Sequence, residues 1–267
     1  MRKKNSSKTL EFLQVYPQLL EKIVNNAEAT GSKVFILEIG NRNYETLDAI
    51  LSISRSIYAI GIDVMNKSDL NKEQRDRLLE THGDRVELVA ASQHEKDVLF
   101  QICQYHWANF GGFDLVIDDG SHVDEFTLSS FYLLSSYMKE EGVYVIEDTE
   151  VMYYPEPDPD SLTEFEYWRV VEDYHGNLTL KSFITGLLDV LNRDYARRGK
   201  LRELFKDGRK IPRRRIQTVG RFTLLGRDDK IASYRVYPNC LVLYFGYSKI
   251  KSSFIGGPDP VKTKMLF

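Results

Sequence analysis

Two short apolar runs, each ending on a pair of acids, constrain this chain more than any other feature. Phe113–Ile117 stops at Asp118-Asp119, and Val143–Ile146 stops at Glu147-Asp148. A helical segment and a turn signal at Glu140-Glu141-Gly142 lie between them. Strand-like runs separated by a helix of this length read as one βαβ unit of about 30 residues. Its strands are parallel, so both runs end at one edge of the sheet. Neighbouring strands lie roughly 4.8 Å apart, which puts Asp118, Asp119, Glu147 and Asp148 within reach of a single ion. Carboxylates gathered in this way repel unless something positive sits among them. Either they point apart into water, or they form a divalent cation site at the carboxyl edge of an α/β sheet, where ligands of such sheets bind.

Upstream the same alternation continues. Apolar positions between Lys8 and Glu28 predict an N-terminal helix over the sheet, bent or interrupted at Pro17 and ended by Gly31. Val34–Ile39 is a continuous apolar run with one acid, Glu38, the pattern of a central parallel strand. Gly40 and Asn41-Arg42-Asn43 form a tight turn, a helix follows over 44–56, and the strand Ile57–Val64 closes on Asp63. An acid at that tip usually meets ribose hydroxyls. Val86–Ala90 is a third strand, and Ser92-Gln93 at its carboxyl end supplies donors and acceptors for an adenine, or forms a simple loop. The helix over 95–109 buries Leu99, Ile102, Cys103 and Trp107. Ser121-His122-Val123-Asp124 has the form that starts a helix, with Ser as cap. His122 therefore stands in a loop beside the acids and is a candidate general base.

Past Glu147 the composition changes. From Glu147 to Glu166 there are eight acids and no basic residue, and from Arg193 to Arg215 eleven Lys or Arg against three acids. These runs are solvated faces, or a loop closing over an anionic ligand. Tyr153, Tyr154 and Trp168 are candidates for stacking on a substrate, with packing as the commoner fate of such aromatics. A helix over Lys181–Arg198 and a hairpin of Ile231–Tyr237 with Cys240–Tyr247 complete the chain, the hairpin adding an antiparallel strand at the end of the sheet. The fold class is thus α/β, Rossmann-like and doubly wound: a mainly parallel seven-stranded sheet with an antiparallel C-terminal strand and helices on both faces. No repeat or linker is visible, so residues 1–267 read as one domain, with an N-terminal helix within 1–30 and a substrate or lid insertion over 150–215.

Net charge is −3, which by itself points to neither nucleic acid nor membrane. No uncharged run approaches the ~18 residues of a membrane helix. The N-terminus lacks the apolar core of a secretory signal, and two cysteines without metal-ligand spacing fit core thiols in a reducing cytoplasm. A dinucleotide fold would carry G-x-G-x-x-G, whose absence argues against a nicotinamide enzyme.

With these residues placed, the chain resembles the class I S-adenosylmethionine-dependent methyltransferases. Within them it is similar to the metal-dependent sugar O-methyltransferases of the macrocin and mycinamicin type and to the cephalosporin hydroxylase/rhamnosyl O-methyltransferase group. The resemblance runs from Val34 to Asp148, with a weaker echo in 183–192 and the last strand pair. IDDGSH at 117–122 followed by VIEDT at 145–149 is its distinctive part. It implies that Asp119, Glu147 and Asp148 hold Mg²⁺ and that His122, with Asp119, is catalytic. It also implies that Glu38, Gly40, Asn41, Arg42, Asp63, Ser92, Gln93 and Asp118 surround S-adenosylmethionine. The acceptor would be a small molecule or oligosaccharide whose sugar hydroxyl is methylated, met in part by Tyr153 and Tyr154. The turn after Gly40 is poorer in glycine than the family's, which keeps a binding or scaffold protein as an alternative. The basic run keeps nucleic acid open as a substrate, and a second copy of the chain stays open as a partner.

Overall fold

The computed structural model describes residues 15–149, 180, 183–184, 231–237 and 239–246. In chain order the elements are α1 (Tyr16–Thr30), β1 (Val34–Ile39), α2 (Glu45–Ile53), β2 (Ile57–Ile62), α3 (Lys72–His82), β3 (Val86–Val89), α4 (Lys96–Phe110), β4 (Phe113–Asp118), α5 (Asp124–Leu134), β5 (Met138–Glu147), β6 (Ile231–Tyr237) and β7 (Cys240–Phe245). The expectations placed on Tyr153, Tyr154, Trp168, the 193–215 basic run and most of the 181–198 helix lie outside the described residues.

The strands form one seven-stranded sheet in the order β3-β2-β1-β4-β5-β7-β6. β1 to β5 pair in parallel. β7 pairs antiparallel with both β5 and β6, so β6 runs with the parallel set. The expected hairpin forms, but its reversed strand lies inside the sheet and β6 takes the edge.

Both faces are covered, which is why β1 is buried at all six positions and reads as an unbroken apolar run. Phe35, Leu37, Val116, Tyr144 and Ile146 pack with Leu99 and Cys103 of α4, Leu128, Phe131 and Leu134 of α5, and Phe183. Val34, Ile36, Leu115, Ile117, Val143 and Val145 pack with Leu19, Leu20 and Val24 of α1 and Leu47 and Ile50 of α2. Cys103 and Cys240 are buried on opposite faces.

Local differences from the sequence reading have physical causes. Pro17 sits in the first turn of α1, where its missing N–H costs no helical hydrogen bond, so it opens the helix without bending it. In α4 the buried stripe is Leu99, Cys103 and His106, and Trp107 turns outward. His106 stacks on Phe113 with ring centroids 5.1 Å apart. Val123 takes the cap position of α5, and Ser121 makes no capping bond to the helix. Glu140-Glu141-Gly142 is no turn. It is a bulge inside β5, where Glu141 has φ 65° and pairing jumps from Phe113–Met138 to Leu115–Val143.

At the carboxyl edge the backbone stays stitched beyond the strands. Asp63 N–H donates to Val89 O (3.2 Å), Gly40 N–H to Ile62 O (2.8 Å) and Asp119 N–H to Ile39 O (2.9 Å). The last bond closes the point where chain order reverses between β1 and β4. Gly40 has φ 88° there, and a Cβ on it would lie 1.9 Å from the carbonyl oxygen of Asp119. Only glycine meets both demands. We expect Gly40→Ala to lose about 2–5 kcal/mol of unfolding free energy by urea denaturation. Wild-type stability would show that the two strand tips do not press together.

Candidate active site

Strand pleating decides where each acid goes. Successive side chains alternate between faces, so Glu38 follows Ile36, Glu147 follows Val145, and Asp118 follows Val116. The four carboxylates expected around one ion are thereby divided.

Asp118 is 2% exposed and turns into the α4/α5 side. Gln93 donates to its two oxygens at 2.8 and 2.9 Å, and Tyr144 Oη donates to Oδ2 at 3.2 Å. Burial pushes the Asp118 carboxyl up to about 7 against the lowering effect of bonds from Gly120 N–H, Tyr144 and Gln93. Gln93 is spent as well: its Oε1 accepts from Ser121 N–H (2.9 Å) and Oγ (2.8 Å). Rather than facing an adenine, its side chain ties the loop after β3 to the loop after β4. Ser92 stays half-buried, with N–H donating to Glu95 Oε1 (2.7 Å) and Oγ 2.7 Å from His94 Nδ1.

Glu147, on the opposite face, is 6% exposed and accepts a hydrogen bond from the phenol of Tyr16. Burial first, then the charge of Glu147, raises Tyr16 well above the usual phenol range, so it remains a donor. Glu38 is buried on this side too.

Asp119, His122 and Asp148 are the residues that gather: one ligand atom from each lies within 4.8 Å of the others. Asp119 is 6% exposed, whereas the His122 and Asp148 side chains are 31% and 34% exposed, with Nε2 3.3 Å from Oδ2. His122 and Asp148 have φ 57° and 52°, in the left-handed region that Asp and His tolerate better than most side chains. Such backbone persists only where its surroundings hold it and clusters at functional sites. Of the expected metal set Asp119, Glu147 and Asp148, the structure brings Asp119 and Asp148 together with His122, and Glu147 lies outside that group. Asp118 is turned away, and Glu147 is held by Tyr16.

The glycine-poor turn after Gly40 has its own support. Asn41 is buried, and its Nδ2 donates to Asn66 Oδ1 at 3.0 Å. Asn66 Nδ2 donates to Val89 O (2.8 Å) and Gly61 O (3.0 Å). A Cβ on Gly61 would meet Asn41 Nδ2 at 2.8 Å. The Asn41 side chain thus serves the turn and is not presented to a cofactor, while Arg42 is exposed and its carbonyl accepts from Asn71 Nδ2 at 2.6 Å. Asp63 lies half-buried at the tip of β2, one oxygen accepting from Met65 N–H at 2.8 Å.

Sequence reasoning missed Tyr16, Asn66 and Tyr144. Tyr16 and Tyr144 sit in apolar patterns that read as core, and Asn66 sits in a loop without a motif.

No family model matches the chain. It is 33% identical over 95 residues to the demethylmacrocin O-methyltransferase of Streptomyces fradiae, covering 36% of this chain and 20% of that one. With the mycinamicin VI 2''-O-methyltransferase of Micromonospora griseorubida it shares 31% over 132 residues, 47% of this chain and 29% of the relative. The chain thus spans less than a third of the length of these curated relatives. A solved structure of the MycE methyltransferase from the mycinamycin biosynthetic pathway, in complex with Mg and SAH, superposes with a TM-score of 0.56. That match has 21% identity and covers 93% of this chain and 52% of MycE. The likeness shows that the two chains share a fold, a Rossmann-like α/β sheet.

We expect Asn66→Ala to cost about 2–3 kcal/mol in denaturant titrations, because it strips buried acceptors of their donor. Unchanged stability would show that the turn after β1 stands without this brace.

Proposed function

We propose that the chain is an S-adenosylmethionine- and Mg²⁺-dependent O-methyltransferase acting on a sugar hydroxyl of a glycan or glycosylated product. One observation carries this reading: Asp119, His122 and Asp148 converge at the carboxyl edge, directly beyond the Gly40 clasp. The MycE likeness and the sugar O-methyltransferase relatives support it.

The donor chemistry fits both groups. Two carboxylates suit a hard cation that keeps several waters, with Glu147 as the further oxygen donor at the end of β5. Imidazole is a poor Mg²⁺ ligand by comparison, which leaves His122 for proton transfer. Asp63 offers a carboxylate to ribose hydroxyls at the tip of β2, and the turn from Gly40 to Arg42 brings backbone and a cationic side chain to the switch point. When bound, Mg²⁺ would supply Lewis acidity to an acceptor hydroxyl and S-adenosylmethionine an electrophilic methyl.

The residues of the chain do the rest. His122 takes the hydroxyl proton on its imidazole, and the Asp148 carboxylate 3.3 Å from Nε2 stabilises the imidazolium that forms. Asp119, its backbone bonded to Ile39, fixes the acceptor side against β1. The base and carboxylate stand together before substrate arrives, which is the positioning that this reaction needs from the protein. The 150–215 insertion, with Tyr153 and Tyr154, would supply the acceptor surface. Among the described residues no helix is long and apolar enough to cross a membrane, and we place the reaction in the cytoplasm.

Calorimetry with S-adenosylhomocysteine tests the cofactor assignment, and absence of binding at millimolar ligand would favour the scaffold alternative. With radiolabelled cofactor and candidate rhamnosides, EDTA should abolish transfer and added Mg²⁺ restore it. His122→Ala should keep S-adenosylhomocysteine affinity within about twofold while kcat falls roughly 10²–10⁴-fold. Turnover equal to wild type would remove His122 as the base.

A further inference from the structure

We infer that Gln93 is a positioning residue for the His122 imidazole, acting through Ser121. This rests on the reading of His122 as the base and adds a residue from the loop after β3. The Gln93 amide is engaged at both ends. Its Nε2 donates to the two oxygens of Asp118 at 2.8 and 2.9 Å, and its Oε1 accepts from Ser121 N–H (2.9 Å) and Oγ (2.8 Å). The Ser121 hydroxyl in turn accepts from Val123 N–H at 3.3 Å. The residues on either side of His122 are therefore tied, through one hydroxyl, to one amide oxygen. His122 itself has φ 57°, a conformation that persists only where its surroundings hold it.

The bridge requires an amide. The Asp118 carboxylate, braced from β5 by Tyr144 Oη at 3.2 Å, accepts from Gln93, whereas the Ser121 N–H donates to it. A Glu in place of Gln93 has no proton for Asp118, and a Lys or Arg has no lone pair for Ser121. Gly120 makes the approach possible: a Cβ there would lie 2.5 Å from Gln93 Oε1 and 3.0 Å from Ile39 Cγ2. Gln93 is 6% exposed and Val123 1%, so little water is left to replace these bonds. One end of the clamp is thus fixed to the buried tip of β4, and the other end carries the half-buried imidazole beside Asp148. A displacement of about 1 Å at a catalytic group can cost about 100-fold in rate. Gln93 therefore bears on turnover without touching substrate.

The test is the ring Cε1–H signal of His122, read by NMR on the full chain and assigned by its loss in His122→Ala. Gln93→Met keeps the reach of the side chain and removes both ends of the clamp. It should split or broaden the His122 signal and leave those of His82 and His106 unmoved. In turnover assays kcat should fall about 10–100-fold, with KM for S-adenosylmethionine and affinity for S-adenosylhomocysteine within about twofold. Added to His122→Ala, Gln93→Met should cost no further rate, since it acts only through that imidazole. Ser121→Ala, a milder change that removes the hydroxyl link alone, should perturb the same signal and lower kcat by about 10-fold. An undisturbed His122 signal in both variants would overturn the assignment. So would a Gln93→Met enzyme that keeps kcat and loses S-adenosylhomocysteine affinity, the pattern of an adenine contact. A purely structural Gln93 would lower the melting temperature and leave signal and kcat where they were, which overturns it too. If His122→Ala turns over like wild type while Gln93→Met still disturbs the His122 signal, the base reading falls and the positioning stands.

Discussion

A row of backbone hydrogen bonds one residue beyond the strand ends governs everything placed at the carboxyl edge. Asp63 to Val89, Gly40 to Ile62 and Asp119 to Ile39 continue the ladder past β2, β1 and β4. The loops therefore leave the sheet from fixed points, and the first side chain of each loop inherits its direction from the pleat. The glycine at the reversal of strand order is what allows the row to close, because the two strand tips meet there at a distance that excludes even a methyl group. Asp119, and with it the loop that carries His122, is positioned by that closure.

From this follows the sorting of the acids. In the one-dimensional sequence, Asp118-Asp119 and Glu147-Asp148 are two adjacent pairs. In the pleated sheet the last residues of the two strands, Asp118 and Glu147, fall on opposite faces, and Asp119 and Asp148 lie one residue past the strand ends. Neutral partners hold the two strand-end acids, Gln93 with Tyr144 for Asp118 and Tyr16 for Glu147. Asp119 and Asp148 are left to meet His122. The result is a graded site, with Asp118 and Asp119 buried and His122 and Asp148 about a third exposed.

The order and type of the elements between residues 34 and 148 could be read from the chain, because parallel strands buried on both faces announce themselves as unbroken apolar runs. The convergence of Asp119, His122 and Asp148 was legible from the same two runs. The fates of Asp118, Gln93 and Asn41 were not: each is a polar side chain at a strand end, and only its three-dimensional neighbours decide whether it faces inward. Tyr16 was invisible for the opposite reason, since an aromatic on a helix stripe looks like core until its hydroxyl is found against an acid 131 positions away. The place of β7 inside the sheet escaped as well, for a hairpin pattern fixes which strands are neighbours but not which of the two docks.

The irregularity at the start of β5 carries a consequence for how such a chain can vary. Between Met138 and Val143 the strand accommodates surplus residues, then resumes regular pairing with β4 up to Ile146. Slack in chain length is thus absorbed at the end of the sheet remote from the acids, and the inward-outward rhythm is reset before Glu147 is reached. Lengthening or trimming the corner around Glu140 could proceed without exchanging the faces of Glu147 and Asp148. A single residue gained or lost between Val143 and Glu147 would swap them and dismantle the site. The two ends of one strand thereby differ in how much alteration they can absorb.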